Sequence, residues 1–448
     1  MNQKYDVAII GAGPAGYTAA VKFAQLGFKV AVVEKDKLGG TCLNSGCIPT
    51  KFLWQAAKTK QKILKSYEYG IKASMEPVSF TDIINKKNRM VENLSKGIQR
   101  LLESYGIDIV KGKASFKSST QLHVKSEFDG VEFEISADTI IIATGSKTKP
   151  VANIQFDHIR YIDSTDALNM ESIPKNMLVI GGGAIGIELS SIFASFGCDV
   201  TLREFFPQLL PSEDSELSGE ILKNLLRQGV KVEVSCENSL KDEDKFEKVL
   251  IAAGRQSSVE ELSISNISLE TDKRNFILSD KYSTNIDNIF AVGDVSGKSF
   301  LAYTAGQDGI NVAEKIVNKK DIVSDEPIPK VVFSFPPAAS VKDIKFDDYK
   351  NILYGKFQFS ANARAQIEFE RTGWVKVAVD KDSEKILGVW IIGNNADELI
   401  NTASVMIKAN VKVPDLSKNI FFHPGLSETI LGACEQALQK CPDLPKII

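Results

Sequence analysis

Val7-Ala-Ile-Ile-Gly11-Ala-Gly13-Pro-Ala-Gly16 decides the fold, because the chain writes it twice: Met177-Leu-Val-Ile-Gly181-Gly-Gly183-Ala-Ile-Gly186 repeats it. Each copy is an apolar run, a glycine turn and an apolar stretch of helical character. Each has another glycine 16 residues after its first, at Gly27 and Gly197. Each then closes a short strand with an acid at 23 residues, in Val30-Ala-Val-Val-Glu34 and Val200-Thr-Leu-Arg-Glu204. These are the parts of a unit that holds a dinucleotide. The first glycine makes the tight turn, the second lets backbone approach a pyrophosphate, and the third lets the helix pack close to the strand. The helix N-terminus favours the phosphate charge, and the terminal acid accepts hydrogen bonds from a ribose diol. One such turn is weak evidence. Two with matched offsets predict two Rossmann-like units.

Glu204 also bears on which nucleotide the second unit takes. A carboxylate there repels a 2'-phosphate, and Arg203 falls on the opposite face of the strand, so NAD is expected rather than NADP. Two further segments echo each other: Thr139-Ile-Ile-Ile-Ala143-Thr144-Gly145-Ser and Lys248-Val-Leu-Ile-Ala-Ala-Gly254-Arg. Each reads as a strand returning beside one nucleotide site, which adds Ala143, Thr144, Gly145 and Gly254 to the candidate cofactor contacts.

A chain of 448 residues predicts three or four compact units, and 43% hydrophobic residues supply their cores. A formal net charge of -3 gives no footprint for nucleic acid. The N-terminus enters its first strand without room for a leader, and no window reaches about 18 uncharged apolar residues, so no membrane segment and a cytoplasmic location are expected. The lysines between Lys58 and Lys72 are expected to be a solvated helix face.

Six cysteines do not make a disulfide scaffold in a chain of this length. Two of them stand in Gly39-Gly40-Thr41-Cys42-Leu-Asn-Ser-Gly46-Cys47-Ile-Pro49-Thr-Lys51. They can meet only if the helical stretch is distorted, and Gly46 and Pro49 permit that. A helix N-terminus and Lys51 would stabilise a thiolate. A redox pair accounts for these neighbours better than a metal site, which lacks a second cysteine pair or a nearby histidine, or two buried small residues.

The segment closely resembles the active-site signature of the class I pyridine nucleotide-disulfide oxidoreductases, and is most similar to its dihydrolipoamide dehydrogenase members. Thr284-Asn-Ile-Asp-Asn-Ile-Phe-Ala-Val-Gly293-Asp294 resembles the family's second FAD motif, and Phe422-His423-Pro424-Gly-Leu-Ser427-Glu428 its catalytic base motif. The resemblance implies FAD and NAD as cofactors and a Cys42–Cys47 redox disulfide with Cys42 as the outer, exchanging sulfur. It implies that Gly40, Thr41 and Lys51 line the FAD site, that Asp294 binds the ribityl chain, and that Ala302 opens a helix aimed at the flavin. It pairs Lys51 with Glu188, and it supplies the His423–Glu428 base, with the X-Pro bond at His423-Pro424 cis, from the other subunit of a homodimer. The implied activity is NAD-linked oxidation of dihydrolipoyl groups carried by a separate protein of a 2-oxo acid dehydrogenase or glycine cleavage complex. Alternatives are reduction of a glutathione-type disulfide, reduction of mercuric ion using Cys434 and Cys441, or a dinucleotide-binding subunit without turnover.

The expected fold class is α/β, with two dinucleotide-binding domains and a C-terminal α+β dimerisation domain. The expected limits are residues 1–150 for the FAD domain, 151–270 for a shortened NAD domain, 271–325 for a segment completing the FAD site, and 326–448 for dimerisation. Four departures from the family stand out: the short stretch between Val230 and Ala253, Ala184, Tyr303 and Lys342.

Overall fold

A computed structural model of the chain describes residues 3–126, 129–151, 154–237, 239–320 and 326–443. The limit drawn at 325 abuts residues 321–325, and that at 448 falls within 444–448; both stretches lie outside the described residues.

The first sheet holds β1 (Gln3–Ile10), β2 (Val30–Glu34), β3 (Asp108–Lys111), β4 (Lys113–Ser118), β5 (Gln121–Lys125) and β6 (Glu132–Ile142), in the order β3-β2-β1-β6-β5-β4. Val7–Ile10 run parallel to Val30–Val33 on one side and to Thr139–Ile142 on the other. These continuous apolar runs are possible because both faces are covered. Val7, Ile9, Val32 and Ile141 pack with Ala19 and Phe23 of α1 (Pro14–Gln25). Ala8, Ile10, Val33 and Ile140 pack on the other face with Phe116 and Leu122 of the β4–β5 excursion.

The chain then passes through α2 (Gly40–Ser45), α3 (Cys47–Leu64) and α4 (Phe80–Ser104). The lysine-rich part of α3 is not simply solvated. Lys58 bonds Asn394 at 3.1 Å and lies over the Trp54 ring, and Lys60 donates to the Ser195 carbonyl at 2.8 Å. The helix runs between two other units, so these two cations are drawn into their seams, while Lys62 is exposed.

After β7 (Ser146–Thr148), the second sheet holds β8 (Tyr161–Ile162), β9 (Asn176–Ile180), β10 (Asp199–Arg203), β11 (Lys231–Glu233) and β12 (Lys248–Ile251), in the order β11-β10-β9-β12-β8 and parallel throughout. Its helices are α5 (Ser164–Asn169), α6 (Ala184–Ser195) and α7 (Ser215–Arg227). The short connection between β11 and β12 is closed by Arg203. Its guanidinium is buried, bonds Glu233 at 2.9 Å, and donates to the carbonyls of Ser239 and Lys241 while stacking near Phe246.

β13 (Arg255–Ser257) pairs antiparallel with β7, and β14 (Ile289–Ala291) returns to the first sheet beside β6, leading into α8 (Ala302–Asn318). The remaining strands, β15 (Lys330–Val332), β16 (Ala338–Lys342), β17 (Ile352–Gln358), β18 (Trp374–Asp380) and β19 (Ile386–Ile392), form an antiparallel sheet in the order β15-β16-β19-β18-β17. Acids at the entry to α7 seat the second sheet on this third one: Lys376 pairs with Asp214 at 3.0 Å and Lys330 with Glu213 at 2.7 Å. The chain is thus α/β with two nucleotide-type sheets and a C-terminal α+β unit. Among the described residues no helix is long and apolar enough to cross a membrane.

Candidate active site

Both glycine turns fold alike. Gly11 and Gly181 have φ of +101° and +112°, and a Cβ there would stand 2.5 Å from the carbonyl oxygen of Ala143 or of Ala252. Only glycine permits that conformation together with that approach. The acids are placed equally symmetrically. Glu34 accepts from the backbone N–H of Ala12 at 2.7 Å and Asp36 at 2.9 Å. Glu204 accepts from Gly182 at 2.5 Å and Phe206 at 2.8 Å. Each carboxylate is thereby aimed across its turn with lone pairs left for a diol. Arg203, pinned to the β11–β12 connection, is turned away from this acid.

A cavity of about 560 Å³ opens along the first turn. Gly11, Gly13, Glu34, Gly40, Thr41, Ala143, Thr144, Gly145, Asp294 and Ala302 line it, and so do Cys42, Cys47, Lys51 and Glu188. Fourteen candidates far apart in sequence therefore meet at one cleft. Gly181, Gly183, Gly186, Glu204 and Gly254 lie off it; from the second unit Ala184, Ile185, Glu188 and Leu189 reach its wall. Gly16 does not line the cleft either. A Cβ on it would stand 1.8 Å from the Gly11 carbonyl oxygen, so its part is to let α1 pack close. Thr144 Oγ1 and Asn44 Oδ1, both buried in the cleft wall, have no protein partner. Orphaned acceptors beside a glycine turn and an acid fit a large ligand rich in hydroxyls, and FAD has those groups.

The two cysteines sit where helix geometry breaks. Gly46 (φ −140°, ψ −111°) ends α2, and Cys47 begins α3 at its N-terminus. The two side chains are in hydrogen-bond contact. The contact divides them electrostatically. Cys47 is lowered to about 7 by the hydrogen bond from Cys42, then by the positive charge of Lys51. Cys42 is pushed up by the same contact and by burial. Cys47 is the more acidic thiol of the reduced pair. Alkylation of the reduced enzyme with iodoacetamide is therefore expected to switch on with a midpoint near pH 7 rather than near 9, where an ordinary thiol would place it.

Lys51 Nζ reaches both oxygens of Glu188 on α6, at 3.1 and 2.9 Å. Glu188 also accepts the backbone N–H of Phe333 at 3.0 Å, and the Phe333 ring lies 4.5 Å from the lysine nitrogen. Tyr303 at the start of α8 donates to the Pro329 carbonyl, and its phenol is pushed up to about 12 by burial and the negative charge of Cys47.

His423 stands apart, on an exposed loop that ends in the helix Glu428–Ala437. Its Nδ1 is 3.0 Å from Glu428, which also accepts the Gly425 N–H at 2.9 Å; the His423–Pro424 bond is cis. Buried Asn362 fixes the loop by donating to the Gly425 carbonyl at 3.0 Å. His423 is 71% exposed at its side chain, Phe422 75% and Ile420 fully. Cys434 lies buried in that helix, which stops at Ala437, so Cys441 falls beyond its end rather than on a continuing turn.

Three residues escaped the sequence reading. Phe333 gives no signal, being one apolar residue among many. Asn362 is equally silent. Arg255 follows Gly254 directly, and a lone arginine after a strand-ending glycine carries no signal of its own.

Comparison with known proteins agrees with this geometry. The pyridine nucleotide-disulphide oxidoreductase profile matches residues 5–309, and the dimerisation domain of the same family matches residues 328–434. The mitochondrial dihydrolipoyl dehydrogenase of Pisum sativum is 35% identical over 460 residues, covering 97% of this chain and 92% of its own length. The dihydrolipoyl dehydrogenase of Thermus scotoductus is also 35% identical, covering 97% and 98%. Among solved structures, the HOCl-induced flavoprotein disulfide reductase RclA of Escherichia coli superposes with a TM-score of 0.84 at 29% identity, covering 96% of this chain and 99% of that one. A doubled nucleotide turn, a dithiol between the two units, and profile matches spanning both halves have one meaning: the chain belongs to the pyridine nucleotide-disulphide oxidoreductases, flavoenzymes that take FAD and a nicotinamide nucleotide.

Proposed function

We propose that the chain oxidises dihydrolipoyl groups with NAD, as a homodimer serving a 2-oxo acid dehydrogenase or glycine cleavage complex in the cytoplasm. One observation carries most of this reading: the Cys42–Cys47 pair, with Lys51–Glu188 beside it, lies in the cleft where the two nucleotide units meet. The similarity to dihydrolipoyl dehydrogenases supports the dithiol substrate. Glu204 and the sequestered Arg203 support NAD over NADP.

The residues divide the work as follows. His423 of the partner subunit takes the proton of one substrate thiol, and Glu428 holds its Nδ1 so that Nε2 faces the substrate. The substrate thiolate bonds to Cys42 of the oxidised pair, and the Cys42–Cys47 bond breaks with its electrons on Cys47. The second substrate thiol then displaces Cys42, which keeps that thiol's proton, and the substrate leaves as a cyclic disulfide. Cys42 as thiol and Cys47 as thiolate is what this exchange leaves, in keeping with the raised Cys42 and the lowered Cys47. Bound FAD supplies the two-electron relay from this thiolate to the nicotinamide. Lys51 holds the thiolate charge, while Glu188 and Phe333 hold Lys51.

The test compares NAD reduction by dihydrolipoamide with NADPH oxidation by glutathione disulfide. Rapid turnover is expected in the first only; activity confined to the second would overturn the substrate assignment. The mercuric alternative has less support, since Cys434 is buried in the core rather than presented to solvent.

A further inference from the structure

Nothing in the exchange above uses Arg255, yet its side chain is only 15% exposed and lines the flavin cleft, although it belongs to the strand that leaves the nicotinamide unit. Its Nε bonds Ser146 Oγ at 2.6 Å, its Nη2 bonds the Ser146 carbonyl at 2.6 Å, and it lies 3.8 Å from Asp294. Ser146 Oγ in turn donates to Asp294 Oδ2 at 2.5 Å. Asp163, capping α5, and Cys47 are the other acidic groups that act on this guanidinium.

The backbone makes this contact rigid. β13 and β7 leave their sheets directly after Gly254 and Gly145 and pair antiparallel, with Arg255 opposite Thr148 and Ser257 opposite Ser146. Lys149 N–H donates to the Gly254 carbonyl at 3.1 Å, and Ser258 N–H to that of Gly145 at 3.3 Å. The arginine is delivered to the cleft by a locked crossing of the two units, not by a free side chain. A planar, always-charged fork suits a carboxylate and a hydroxyl at once.

The geometry points to Arg255 as a positioning residue: through Ser146 it holds Asp294 in place for the flavin's ribityl chain, so that flavin retention depends on how the nicotinamide unit is seated. The inference rests on the reading of Asp294 as the ribityl ligand.

The experiment is a double-mutant cycle on the holoenzyme, read as the rate of FAD loss from the appearance of free-flavin fluorescence. Arg255→Met is expected to speed release about tenfold, the scale of one charge-assisted hydrogen bond, and Arg255→Lys to recover part of that. Asp294→Asn is expected to speed release as well, and the double variant to lose FAD no faster than Asp294→Asn alone. Equal acceleration by Arg255→Met in both backgrounds would overturn the inference, as would a wild-type rate for Arg255→Met. A wild-type rate for Asp294→Asn would instead overturn the ribityl assignment beneath it. Should Arg255→Met fail to fold, Ser146→Ala carries the same cycle, and additivity with Asp294→Asn would again count against the relay.

Discussion

Cys47→Ser is expected to end dithiol–NAD turnover altogether while FAD remains bound. A hydroxyl at 47 can form no bond with Cys42 Sγ, so the oxidised state that accepts the substrate thiolate cannot exist. The loss is chemical rather than structural. Serine is smaller than cysteine, Cys47 lies at the first position of α3, and the backbone break is made by Gly46. The flavin contacts proposed along Gly11, Glu34 and Asp294 are untouched. The measurement is NAD reduction by dihydrolipoamide beside the visible absorbance of bound flavin. Turnover within tenfold of wild type would remove the sulfur relay from the mechanism. A colourless variant would show that the substitution had disturbed more than the exchange.

The second large effect falls on the base. His423→Gln is expected to lower turnover by about 10²–10⁴-fold, the usual share of general acid–base catalysis. Its architecture permits a sharper test. His423 lies on an exposed loop beside exposed Phe422 and Ile420, in the part matched by the dimerisation domain. If each site takes its sulfurs from one subunit and its imidazole from the other, a hybrid of Cys47→Ser and His423→Gln subunits contains one intact site. Refolding the two inactive variants together should then restore roughly a quarter of wild-type activity, since half of the dimers are hybrids with one working site in two. No recovery in verified hybrids would mean that both halves of the site come from a single subunit.

Much of this site was legible before any coordinates. The glycine turns and their acids could be read because their constraints are local: a positive φ at Gly11, a carbonyl 2.5 Å away, and an acid at a fixed offset. The Cys42–Cys47 break was legible through Gly46 for the same reason. The division of charge between the two sulfurs was not, since it depends on one thiol donating to the other. Nor could Phe333 be foreseen, because its N–H meets Glu188 across 145 residues of sequence. Arg203 was read correctly as facing away from Glu204, but what it faces, the carbonyls of Ser239 and Lys241, is set by a connection with no periodic pattern. Lys58 and Lys60 differ from the expected solvated face because tertiary packing supplies them neighbours, while Lys62, Lys65 and Lys72 are exposed.

That buried guanidinium has a wider implication. A nucleotide-binding unit can be pruned at its margin, well away from the phosphate turn, when one cation takes over the sealing of the cut edge. Arg203 and the connection it closes form a single module, and neither is portable without the other. Grafting a longer antiparallel flap between Glu233 and Lys248 should leave Arg203 stranded among carbonyls that no longer converge on it. Engineers who lengthen this edge should replace the arginine in the same step.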